Sequence, residues 1–169
     1  KPVLCDCLPD TACIDPEQIQ KKITPKTKAV IITHLWGHPC ELNEIRGICK
    51  KHGIALIEDC SHALGAKVNG KSVGLVGEFG IFSFYATKII TSGGQGGMVA
   101  SKDQAVVEKI RDYREFDYRK DMLSRFNFQL TDLQAAIGRV QLSRLPNFLS
   151  RRKQIFERFA GREERYSVC

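Results

Sequence analysis

The sequence predicts an α/β domain in which a mostly parallel sheet carries flanking helices. Three observations point there. The first two-thirds of the 169 residues alternates short apolar runs with amphipathic ones, the pattern of strand and crossover helix. The run 54–57 is continuously apolar, as a parallel strand covered on both faces requires. Polar side chains then gather just past the ends of two expected strands, where open α/β sheets place their ligands.

Each element has its own local reason. Asp15-Pro16-Glu17 supplies an N-cap, a first helical position and a first-turn acid, so a short helix is expected through about Ile23. Residues 29–33 follow as a strand. Leu42, Ile45, Ile48 and Cys49 recur at helical spacing, and Lys50-Lys51-His52 before Gly53 place cations on the helix's negative pole with a glycine just past its end. The strand 54–57 comes next and runs directly into Glu58-Asp59-Cys60-Ser61-His62. Asn69-Gly70 provides the two positive φ angles of a type I′ turn and predicts a hairpin across 68–71.

Residues 81–84 and 98–100 read as two further strands, joined by a segment that has four glycines among residues 93–97. Helix is expected from 103 to about 114, and irregular charged chain over 115–130. Thr131 caps a helix whose apolar face is Leu133, Ala136, Ile137, Val140 and Leu142. Pro146 interrupts it, and a last helix over about 147–162 carries Phe148, Leu149, Ile155, Phe156 and Phe159. Two units are therefore expected, a partial α/β domain over 1–130 and long helices over 131–169.

Composition excludes several classes of function. At 43% apolar and 27% charged the chain is not disordered, and no apolar run approaches the roughly 18 residues needed to span a bilayer. The net charge of +7 is +2 over residues 1–101 and +5 over 102–169. In the later part Arg111, Arg114, Arg119 and Lys120 alternate with Glu108, Asp112, Glu115, Asp117 and Asp121, which describes a solvated mixed-charge face rather than a nucleic-acid surface. The cysteine usage favours reduced, cytosolic thiols, so a cytoplasmic protein is expected. The seven cysteines are an odd number in a chain too large to need stapling, and reduced thiols are expected. Cys5, Cys7, Cys13, His34, His38 and Cys40 could be drawn as ligands, but no Cys-x-x-Cys pair is present and no metal is expected. Cys49 and Cys60 read as small core hydrophobes.

The chemistry is expected where Asp59, His62, Ser83 and Lys88 fall, at or just past strand ends. The glycine segment alone is weak, because it has neither dinucleotide-fingerprint spacing nor a closing Lys-Ser/Thr. A carboxylate, an imidazole, a hydroxyl and an amine together suit an amine that attacks an aldehyde while a carboxylate holds a pyridine nitrogen protonated. That is pyridoxal phosphate chemistry.

Residues 57–66, Ile-Glu-Asp-Cys-Ser-His-Ala-Leu-Gly-Ala, resemble the cofactor-ring motif of the DegT/DnrJ/StrS sugar aminotransferases. Ser83-Phe-Tyr-Ala-Thr-Lys88 resembles their Ser-Phe-x-x-x-Lys, residues 93–99 their Gly-Glu-Gly-Gly stretch, and residues 127–142 their Asn-x-Arg, Gln-Ala-Ala and Gln-Leu region. The resemblance implies the large domain of a fold-type-I transferase dependent on pyridoxal 5′-phosphate, present here in part. It implies that Lys88 holds the cofactor as a Schiff base and later moves the substrate proton, and that Asp59 pairs with the pyridinium nitrogen. It places His62 by the ring's 3-hydroxyl and Ser83 on the phosphate, with Asn127 reaching the phosphate of a second subunit in a homodimer. The implied substrates are a keto-sugar, nucleotide-linked, or a keto-cyclitol, with glutamate or glutamine as amino donor.

Two departures stand out: Gln95 where Glu is usual, with an extra glycine beside it, and Gln129 in place of the Arg after Asn127. Dehydratase relatives carry histidine in place of the lysine, so Lys88 argues for transamination. The family's N-terminal phosphate turn and ring-stacking aromatic, and its C-terminal small domain, have no counterpart in the sequence, and the chain alone is expected to be inactive. A non-catalytic remnant that keeps the fold and dimer surface is the alternative, and a plain nucleotide-binding α/β domain a weaker one.

Overall fold

In the computed structural model, which describes residues 1–118 and 120–160, the expected strands and helices assemble around a four-stranded sheet. Arg119, Cys169 and the last two positions of the helix expected over 147–162 lie outside the described residues. Strands β1 (Ala29–Thr33), β2 (Ala55–Asp59) and β5 (Phe79–Ser83) run parallel, and β6 (Gly97–Ala100) closes the edge antiparallel to β5, in the order β1-β2-β5-β6. The hairpin β3 (Lys67–Val68) and β4 (Lys71–Ser72) stands apart from it. Its turn has Asn69 at φ 50° and Gly70 at φ 76°, the two positive angles its sequence demands.

The helices start and stop where their caps direct. In α1 (Pro16–Lys22) the Asp15 carboxylate accepts from the Glu17 amide, and α2 (Leu42–His52) ends on Gly53 in the left-handed conformation. Asp103 caps α3 (Gln104–Arg114), and Thr131 and Gln134 form a capping box at the start of α4 (Asp132–Ser143). The break before α5 (Leu145–Ala160) falls at Arg144, so Pro146 stands in the first turn of the new helix, where its missing N–H costs nothing, rather than at the break itself.

The core lies on one side of the sheet. Val30, Ile32 and Leu56 are buried against Ile19 of α1 and Leu42, Ile45, Ile48 and Cys49 of α2. On the other side Ile31 is 62% exposed and Ile81 is also open to solvent. The two-sided burial expected for the parallel strands is thus met on one face only among the described residues. β2 is also longer than its apolar run, because Glu58 and Asp59 continue the ladder with Ile32 and Thr33. Backbone pairing, not side-chain polarity, decides where a strand ends.

Close backbone approach tightens the connection between β2 and β5. A Cβ on Gly77 would lie 2.3 Å from the Leu56 carbonyl oxygen, and one on Gly80 would lie 2.4 Å from the Gly74 backbone. Only hydrogen fits there. The irregular stretch 120–131 is fastened to α3 by Arg125, which donates to the carboxylates of both Asp112 and Asp121, and by Phe126, which packs on Tyr113 and stacks on Phe128.

Candidate active site

A cavity of about 550 Å³ opens beyond the carboxyl ends of all three parallel strands, within the size range of small-molecule sites. Trp36 and Gly37 reach it from the turn after β1, Ser61 to Ala66 from the loop after β2, and Ser83, Thr87 and Lys88 from the end of β5 and the turn beyond it. Leu149 and Arg152 of α5 close its far side. The polar lining is one-sided: Lys88, Arg152, the His62 imidazole and three hydroxyls line the cavity, and no carboxylate does.

Three of the five residues singled out from sequence therefore share this cavity: His62, exposed; Ser83, half-buried; and Lys88, half-buried. Ser83 closes β5, and its Oγ accepts from the Tyr85 amide at 3.3 Å. Lys88 sits on a tight turn, its amide donating to the Tyr85 carbonyl at 3.0 Å, and its ammonium bonds to no described residue. That turn is held by Phe84 and Ala86 donating to Gly96 and Gly94. The glycine segment is thus the return arm of an extended β5–β6 connection, and its glycines let the two arms approach. Gln134 of α4 braces it by donating to the Gln95 carbonyl at 3.2 Å.

Asp59 and Asn127 do not line the cavity. Asp59 is the last residue of β2, in register with Ile81, so its side chain lies on the same sheet face as Ser83 but one step back from the edge. Its Oδ1 accepts from the Ser61 amide at 2.9 Å, which fixes the carboxylate. Asn127 lies exposed on the irregular segment.

Beneath the cavity sits a network that no sequence motif announces. Glu58 is fully buried, and each of its oxygens takes two donors: the Val76 and Gly77 amides at 2.7 Å on Oε1, the Gly74 amide at 2.7 Å and His34 Nε2 at 3.1 Å on Oε2. His34 Nδ1 accepts from the Cys40 amide at 3.1 Å, so the ring proton sits on Nε2. Burial pushes the Glu58 carboxyl up, but the bonds from His34 and the three amides outweigh it and hold it below the ordinary glutamate value. The one signal in the sequence is an ionisable residue directly continuing an apolar strand.

Donor atoms of His34, Glu58 and Cys60 lie within 4.8 Å of one another. A cation there would have to displace bonds already made, since both Glu58 oxygens and both His34 nitrogens are engaged. The thiols are shielded as well. Burial, together with Cys13 for one and Glu58 and Asp59 for the other, pushes Cys40 and Cys60 up to about 12, and burial also raises Cys49. A thiol reagent at neutral pH is therefore expected to label exposed Cys7 and half-buried Cys5 quickly, and Cys40, Cys49 and Cys60 only on unfolding. Fast labelling of Cys40 or Cys60 in the folded chain would contradict the packing described.

Residues 1–162 match the DegT/DnrJ/EryC1/StrS aminotransferase family. A GDP-perosamine synthase of Vibrio cholerae is 36% identical over 162 residues, covering 92% of this chain and 44% of that protein. A UDP-N-acetyl-3-dehydro-alpha-D-glucosamine 3-aminotransferase of Acidithiobacillus ferrooxidans is 38% identical over 140 residues, covering 80% and 38%. Among solved structures, the aminotransferase TlmJ from Streptoalloteichus hindustanus superposes with a TM-score of 0.86 at 34% identity, covering 94% of this chain and 44% of that one. The chain spans less than half the length of these relatives.

Proposed function

The chain belongs to the DegT/DnrJ/EryC1/StrS aminotransferase family, and from that premise we propose that it forms the cofactor-holding part of a pyridoxal-phosphate-dependent aminotransferase. The acceptor is a keto group on a nucleotide-linked sugar or a keto-cyclitol, and the donor an amino acid such as glutamate or glutamine. One observation carries this reading: an amine with no described partner, Lys88, stands in an acid-free cavity at the strand ends beside three hydroxyls. That donor set fits the cofactor, since an anionic phosphate wants N–H, O–H and cationic neighbours without carboxylates, and an aldehyde wants an accessible amine.

When bound, pyridoxal phosphate supplies an aldehyde carbon that joins amines and a protonated ring that withdraws electrons from it. Lys88 would hold the cofactor through Nζ, and the same amine would be the group that moves the proton at the donor's Cα. Ser83 Oγ would donate to the phosphate, and His62 would serve the ring's 3-hydroxyl. Asp59, one step back from the cavity edge and oriented by the Ser61 amide, would keep the ring nitrogen protonated from below the lining residues. Asn127 serves the phosphate of a second subunit, which makes the working unit a homodimer in the cytoplasm. The uncovered sheet face around Ile31 and Ile81 supports a reading of the chain as one layer of a larger enzyme.

Borohydride reduction of the chain joined to the flanking segments that its full-length relatives carry, with pyridoxal phosphate present and followed by peptide mapping, tests the proposal. The adduct is expected on Lys88; an adduct on Lys67 or Lys71, or none, overturns it. Asp59→Asn is expected to keep that adduct while lowering turnover by about a hundredfold, because an amide cannot hold the ring nitrogen's positive charge. An unchanged kcat with weaker cofactor binding would reduce Asp59 to a positioning group.

A further inference from the structure

Asn127 stands in the irregular stretch 120–131, exposed, and its side chain bonds to no described residue. Its neighbours on both sides are held. The Phe126 amide donates to the Tyr113 carbonyl at 3.0 Å, and the Phe128 amide to the Arg114 carbonyl at 3.2 Å. Those carbonyls belong to the last turn of α3, where helix geometry leaves acceptors without partners. The Phe126 ring lies 5.1 Å from that of Tyr113 and 5.2 Å from that of Phe128, centroid to centroid. Asn127 is the residue left open between two that are bound to the helix end.

Arg125 ties this stretch to the helix through a side chain. Its Nε and Nη2 donate to Oδ1 and Oδ2 of Asp112 on α3, at 3.2 and 3.1 Å, a two-bond fork that fixes the plane and direction of the guanidinium. Nη1 and Nη2 donate also to Asp121, which draws the start of the stretch onto the same group. The Arg125 side chain is only 6% exposed, against 44% for Asp112 and 52% for Asp121. Ion pairs whose acids stand half in water add little to global stability. What such a fork adds is geometry. Helix ends fray, and the fork braces the last turn of α3 and the stretch beside it against each other. Enclosed and engaged on two carboxylates, Arg125 is not placed to take an incoming anion itself, so its contribution runs through the residues it holds.

We propose that Arg125 is a positioning residue: its fork on Asp112 sets residues 126–128 on the end of α3 and so presents Asn127 to the cofactor phosphate of a second subunit. This rests on the aminotransferase reading and adds to it a residue that acts on the site of the neighbouring subunit rather than on its own. A side-chain amide can serve a phosphate only if it is held to within about 0.5 Å and 10–20° of the bonding geometry. No helix or strand supplies that precision at Asn127, and the Arg125 fork, with the two amide bonds beside it, does.

The test uses the chain joined to the flanking segments of its full-length relatives, with the affinity for pyridoxal phosphate read from borohydride-trapped Lys88 across a titration. Arg125→Met is expected to weaken the cofactor by about tenfold, the loss of one charge-assisted contact, and Asp112→Asn to weaken it in the same direction. Arg111→Gln, which breaks an exposed pair with Glu108 on the same helix, is expected to leave it unchanged. Asn127→Ala is expected to match Arg125→Met, and the double variant to lose no more than either alone, because the two residues serve one contact. A hybrid dimer of one Lys88→Ala subunit and one Arg125→Met subunit keeps a single Lys88, faced by an Asn127 whose Arg125 is intact, and is expected to label with the parent's affinity. A tenfold loss in that hybrid would mean that Arg125 serves only its own subunit's fold, and it overturns the proposal. So do parental affinity in either single variant, additive losses in the double one, and a parent that labels as a monomer. A labelled parent with any of these failures removes Arg125 and leaves the aminotransferase reading standing; a parent that takes no adduct on Lys88 removes both.

Discussion

In the chain joined to the flanking segments of its full-length relatives, Lys88→Ala is expected to take no reducible cofactor adduct at all and to lower transamination by about 10⁴-fold or more. On the proposed reading the variant loses two things at once: the nucleophile that would fix the aldehyde, and the base that would move the proton, a role worth roughly 10²–10⁴-fold by itself. Folding should scarcely notice, because the ammonium bonds to no described residue and substitutions of that kind stay within about 0.5 kcal/mol. The pair of readouts separates chemistry from stability. An adduct that survives in Lys88→Ala would move the covalent site to another lysine, and a melting temperature that collapses would mean the side chain props the β5–β6 connection.

Glu58→Ala is expected to cost about 3–5 kcal/mol of stability. Removing the carboxylate strips the amides of Gly74, Val76 and Gly77 and the Nε2 proton of fully buried His34 of their shared acceptor. Against a total stability of about 5–15 kcal/mol that loss leaves a marginal domain. Glu58→Gln keeps the shape but turns an NH₂ toward N–H donors, and is expected to recover less than half of the loss. Denaturant melts measure both. The same group sets an acid limit. Its folded value lies below its unfolded one, so its stabilisation is complete above the ordinary glutamate range and is lost as the pH falls through the depressed value. Glu58→Gln should therefore flatten the acid limb of the stability curve; an unaltered limb would assign acid unfolding to other carboxylates.

These two residues sit next to the clearest sequence signals and differ sharply in how legible they are. Lys88, Ser83 and His62 are legible because an amine, a hydroxyl and an imidazole at strand ends leave packing with little use for them, and the structure gathers them on one cavity. Glu58 reads in sequence as one member of a polar string after the strand. Its importance depends on amides from 16 to 19 residues further on and on a histidine 24 residues back, which no local window contains. Arg125 escapes sequence reasoning for a related reason. It reads as one more charge in an irregular stretch, and only the fold sets its fork against Asp112, 13 residues back on α3.

Local sequence determined what local physics controls: helix caps at Asp15, Asp103 and Thr131, the stop at Gly53, the Asn69-Gly70 turn, and the alternation that makes this an α/β chain. Those choices are made within a few residues by hydrogen-bond geometry and allowed φ angles. Tertiary structure decided the rest. It set the strand order β1-β2-β5-β6, extended β2 through two acids, left one face of the sheet uncovered among the described residues, and brought α5 across to complete the cavity. Each of these outcomes depends on groups far apart in the chain meeting in space, and burial and charge act on that meeting rather than on neighbours in sequence.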